Sequence, residues 1–169
     1  MVATMNTQID GDTLARTAIK ALLNPRFTGI PGRCEQFARE VFEAVYPDHS
    51  EVTKHFLATA RVSMLSFQDT EYNVWENIGG IDHLFPPQDF LKPGDYLYKG
   101  FETSGPNGHV GIFFHNQDQQ GQPVPCVAEN STFHMSPGAH GNVSGAKGYR
   151  SLTEFGPYEM VVRLSEVEI

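Results

Sequence analysis

Residues 108–130 read GHVGIFFHNQDQQGQPVPCVAEN. Two runs rich in aromatic and β-branched residues, HVGIFFH (109–115) and PCVAEN (125–130), flank the polar connection NQDQQGQPV (116–124). Strand-forming runs separated by a polar, Gly-containing segment are the signature of a β-hairpin. This stretch decides the fold, because a hairpin commits the C-terminal half to an antiparallel sheet.

Working outward, DYLYK (95–99), behind the turn LKPGD, and EMVVRL (159–164) supply two more strands. Upstream the period changes to helical. A helix capped by Asp12 or Thr13 is expected to run to about Leu23 and to stop at NPRF, with Leu14, Ala18, Ala21 and Leu22 on one face. A second starts near Arg33 and ends before Pro47. Its apolar stripe is Cys34, Phe37, Ala38, Val41, Phe42 and Val45, and Glu35, Arg39, Glu40 and Glu43 are expected to point outward. A third is expected within 51–67, burying Val52, Phe56 and Ala60, and the Gly-Gly and Pro-Pro pairs mark 78–90 as loop. Helices over about 12–90 followed by an antiparallel sheet over about 91–169 predict one α+β domain.

Composition narrows the function. The 169 residues are 40% hydrophobic and 19% charged, ordinary for a globular chain, and the net charge of −8 leaves no basic footprint for nucleic acid. The two cysteines show no CxxC spacing, and His115, His134 and His140 do not form a metal-binding set, so neither metal nor cofactor is expected; a Cys34–Cys126 bridge stays open. No apolar run reaches the ~20 residues that a membrane helix needs. The N-terminus MVATMNTQIDGDT lacks the basic and apolar regions of a secretory signal. The expectation is synthesis in the cytoplasm without membrane insertion, with any release by phage lysis or another non-classical route.

The chemistry converges on PGRCEQFAREVF (31–42), which sets Cys34 in the first turn of the second helix behind a Pro-Gly turn. A helix N-terminus carries roughly half a positive charge and free N–H groups, which favour a thiolate and can hold an oxyanion. Gly32 leaves room for a substrate backbone. His109, at a strand start behind Asn107-Gly108, is the candidate base. A hairpin centred between Gln119 and Gln120 places Asn130 opposite His109, where it would orient the imidazole; a one-residue slip gives that role to Glu129. Gln36 is expected to be solvated, Asp95 to order the loop before its strand, and Tyr96 and Tyr98 to pack. Tyr72, Trp75 and Phe85 read as core or loop anchors in preference to a subsite. The Gly-rich stretch 137–148 is either a cleft rim or a long connection.

PGD followed by GHVGI, with a cysteine on an upstream helix, resembles the NlpC-type cell-wall cysteine peptidases and their CHAP amidase relatives. The resemblance spans roughly 32–131. It implies a papain-like α+β fold, hydrolysis of peptide or amide bonds in peptidoglycan without a cofactor, and Cys34, His109 and either Asn130 or Glu129 as the catalytic residues. GRCEQF stands nearer to the GQC of CHAP domains than to the DCSG of NlpC-type members, and VAENST lacks the second His that many of them carry. Two other readings remain: a non-catalytic wall-binding or virion module of the same fold, and a papain-like peptidase or acyltransferase with another substrate. The oligomeric state is open.

Overall fold

The computed structural model of the chain describes residues 8–77, 86, 88–100, 107–130 and 146–166. In chain order the elements are α1 (Gly11–Ala21), α2 (Cys34–Val45), α3 (Ser50–Thr53), α4 (Ala60–Gln68), β1 (Asn73–Glu76), β2 (Tyr96–Lys99), β3 (His109–Gln117), β4 (Pro123–Asn130), β5 (Lys147–Ser151), α5 (Leu152–Phe155) and β6 (Met160–Val162). The strands form one antiparallel sheet in the order β1-β6-β2-β3-β4-β5. The expected α+β class is therefore the observed one. Among the described residues no helix is long and apolar enough to cross a membrane.

One sheet face carries Tyr96, Tyr98, Val110, Ile112, Phe114 and Ala128 into the main core beneath α1, α2 and α4. The other carries Leu97, Phe113, Val127 and Val161 into a smaller cluster closed by Phe155 and Tyr158. Helix α2 buries Phe37, Ala38, Val41 and Phe42 as its 3.6-residue period dictates. Each large side chain contributes about 1.5–3 kcal/mol of transfer free energy. Two tyrosines of β2 pin the helix: the Tyr96 hydroxyl donates to Ala38 O at 3.0 Å and the Tyr98 hydroxyl to Glu35 Oε2 at 3.4 Å.

Several elements differ from the sequence reading. The first helix is capped by Asp10, which accepts from Asp12 N, and not by Asp12 or Thr13 as expected. The helix expected within 51–67 is two, because the chain leaves the helical path after Thr53 and restarts where the Thr59 hydroxyl caps Val62 N. Strand β1 lies before residue 90 and pairs with β6, so the sheet draws on the helical half. Strand β5 and the turn α5, closed by a Ser151/Glu154 capping box, were not anticipated. Glu35 points inward and is 3% exposed, because it lies at the front of α2 where Tyr98 reaches it. Most of the 78–90 loop and of the 137–148 stretch, with Phe85, lies outside the described residues. Trp75 packs against Tyr158 as an anchor, with ring centroids 5.7 Å apart.

The PGD turn is structural, as expected. Buried Asp95 accepts from Lys92 N and takes both Nε and Nη2 of Arg163 at 2.8 Å. Burial outweighs these partners and pushes the Asp95 carboxyl up. Removing one member of such a pair strands the other charge. Arg163→Met should lower the unfolding free energy in urea by about 3 kcal/mol, while the alkylation rate of Cys34 in the folded protein stays at the wild-type value.

Candidate active site

The first turn of α2 presents Cys34. Gly32 adopts φ +84, a conformation that side chains disfavour, and turns the chain into the helix. Helices α1 and α4 and the turn α5 are each capped by a side chain, but the Arg33 cap of α2 makes no such bond. The first N–H groups of α2 are thus left without a side-chain acceptor beside the Cys34 thiol. The preceding segment is fastened to the sheet by Asn130 Nδ2 of β4, which donates to Ile30 O at 2.8 Å, and by Ala146 N, just before β5, which donates to Gly29 O at 3.0 Å.

The hairpin register fixes the next partner. Ile112 faces Ala128 and Phe113 faces Val127. That is one residue away from the register that would set His109 opposite Asn130. Because side chains alternate along a strand, the slip turns Asn130 to the other face and brings Glu129 onto the face of His109. His109 Nε2 lies 2.7 Å from Glu129 Oε1. The preferred placement of Asn130 behind the imidazole is therefore corrected: its amide holds the turn before Cys34 instead, and Glu129 is the group behind His109.

Glu129 is wholly buried, and Arg150 of β5 grips it in a fork, Nε to Oε2 at 2.6 Å and Nη2 to Oε1 at 2.7 Å. Burial alone would raise this carboxyl; the bonds from His109 and Arg150 win and bring it down to about 2. Gly111, between His109 and Phe113 on this face, has no room for a Cβ, which would stand 2.3 Å from Val127 Cγ1 and 3.1 Å from Phe155 Cε1. Its absence of a side chain lets Phe155 close beneath the site, 5.8 Å from the His109 ring.

His109 is the first residue of β3, at the end of an interior strand, where its ring can meet the first turn of α2. Burial acts to discharge the imidazole, but the hydrogen-bonding and charge of Cys34, joined by Glu129, outweigh it and raise His109 to about 9. Nε2 is engaged by Glu129, so the nitrogen left for Cys34 is Nδ1, which is buried and closes no hydrogen bond of ordinary length among the described residues. The ring is thereby held in orientation by the carboxylate on Nε2, and Nδ1 remains available to the thiol.

A cleft of about 300 Å³ opens here, lined by Cys34, Glu35 and Gln36 of α2, Ala60 of α4 with its cap Thr59, and Gly108. Both cysteines are free and buried, so no Cys34–Cys126 bridge forms. Among the described residues no group of His, Cys, Asp and Glu is arranged to hold a metal. Sequence reasoning missed Arg150 and Lys99. The latter, opposite His109 in the β2–β3 pairing, donates Nζ to Phe155 O, and burial with Arg150 nearby brings it down to about 8 against the pull of Glu129. Arg150 sits in KGYRS (147–151), which lacks the apolar alternation that would have marked it as a strand.

No protein-family model, curated protein or solved structure matches the chain.

The raised His109 value gives a pH test. A group held above its unfolded value of 6.5 stabilises the fold fully below that pH and loses the contribution as pH rises through about 9. Urea titrations from about pH 6 to about pH 10 should show a decline in this window that is absent or smaller in His109→Gln.

Proposed function

We propose that the chain is a cysteine-dependent hydrolase of peptide or amide bonds with a papain-like, NlpC/CHAP-type fold, acting on peptidoglycan. The observation that carries this reading is the His109 ring, bonded through Nε2 to a buried, Arg150-held carboxylate, with Nδ1 left for Cys34 at a cleft. The choice of peptidoglycan rests on the resemblance of PGD and GHVGI to the cell-wall enzymes.

In this mechanism the Cys34 proton passes to His109, whose raised affinity suits it to hold that proton. The sulfur attacks the substrate carbonyl carbon, and the oxyanion is received by N–H groups of the uncapped first turn of α2. The C–N bond breaks, His109 protonates the leaving amine, and a thioester remains on Cys34. Water, deprotonated by His109, attacks the thioester. The C–S bond breaks, and a carboxylic acid and the thiol are released. Glu129 keeps the imidazole oriented and balances its charge. The net reaction consumes one water and needs no cofactor.

Mass analysis of purified peptidoglycan after incubation tests this directly. Wild type should release fragments with new amine and carboxyl ends, and Cys34→Ala should release none. Identical fragments from both would contradict the mechanism, and intact peptidoglycan with a reactive Cys34 would move the reading to a peptidase or acyltransferase with another substrate. On a cleaved substrate, Glu129→Gln should lower kcat at least about 100-fold.

A further inference from the structure

The cleft beside Cys34 has a charge balance opposite to that of the whole chain. The net charge is −8, yet the cleft is lined by two arginines, Arg33 and Arg39, and one carboxyl, Glu35. We propose that Arg33 and Arg39 form an anion subsite that receives a carboxylate of the substrate adjacent to the scissile amide. This rests on the reading of Cys34 as the nucleophile.

Three observations support it. Arg33 immediately precedes Cys34, and Arg39 lies on α2 one turn beyond Glu35, so the two cations flank the nucleophile along one cleft wall. Arg33 is uncommitted among the described residues, and Arg39 is held only by a half-exposed ion pair to Glu43 of its own helix. Among the described residues no hydrogen bond or ion pair holds the exposed Arg33 side chain, and Arg39 Nε is buried without a hydrogen-bond partner, its approach to Glu43 Oε1 being 3.8 Å. An arginine fork in this state matches a carboxylate, for which it supplies paired donors.

Glu35 does not cancel the two charges. Burial pushes its carboxyl well above the usual range, with Cys34 adding to the effect and Ser63, Tyr98 and Arg39 opposing it. With two guanidiniums against one carboxyl the lining stays cationic, and Glu35 Oε1 closes no hydrogen bond among the described residues. The cleft volume of about 300 Å³ suits a group the size of one residue, not an extended polymer. The substrate class is thus an acidic peptide or amide with a free carboxylate next to the bond attacked.

Iodoacetate and iodoacetamide test this without a wall substrate. They alkylate the same sulfur and differ mainly in a carboxylate against a carboxamide. The ratio of their rates at Cys34, read by peptide mass analysis, should fall about tenfold in the Arg33→Gln/Arg39→Gln double variant. Lysine at both positions should retain the ratio, and added salt should lower it in wild type. A ratio unchanged by the glutamine replacements, with both probes reacting, would overturn the subsite and leave the nucleophile standing. No reaction at Cys34 with either probe, in a protein with wild-type circular dichroism, would overturn both.

Discussion

Burying the Glu129 carboxylate requires cationic partners at hydrogen-bond distance, and the site is organised around that requirement. Arg150 takes both oxygens, and His109 Nε2 takes one of them a second time. An uncompensated buried carboxylate would cost several kcal/mol, so the three side chains hold one another in place. Arg150 comes from β5, the last strand on that side of the sheet, which makes β5 and the turn α5 part of the candidate site's architecture. Phe155 of α5 lies under the His109 ring and under Lys99 Nζ, 4.2 Å from its centroid, closing this face against water.

The second constraint is the placement of Cys34 against that imidazole. Helix α2 is anchored in the core by Phe37, Val41 and Phe42 and held to β2 by two tyrosines. The chain leading into it is tied down separately. Lys147 Nζ donates to Ala21 O, Asn24 O and Phe27 O, and Asn130 fixes Ile30 O. Lys147 and Asn130 are themselves paired across β4 and β5. The strand that carries Glu129 to His109 therefore also fixes the turn that aims Cys34. Adjacent residues on β4 serve the two halves of the site from opposite faces.

The helical stripe of α2, the hairpin and the position of His109 were legible in the sequence because each follows from a local period or turn signal. The orienting residue was not, because one residue of hairpin register decides between Asn130 and Glu129, and the turn sequence 116–124 does not fix it. Glu35 was misread for a related reason: helical spacing gives its angle on α2 but not the presence of Tyr98 above the first turn. Arg150 was hidden because a five-residue strand rich in glycine and charge, KGYRS, lacks the apolar alternation by which strands are found. The fold class, helices with an antiparallel sheet, survives these errors because it depends on element type and not on register.

The central claim is that Cys34, His109 and Glu129 act as one electrostatic unit. Burial by itself would drive the His109 imidazole below 6.5, and only the thiol on one side and the carboxylate on the other reverse the sign. The direct measurement is an NMR titration of the His109 ring in the folded wild type and in Cys34→Ala. The account predicts a midpoint near 9 in wild type, falling when the thiol is removed. A wild-type midpoint at or below 6.5, unchanged by the substitution, would contradict it.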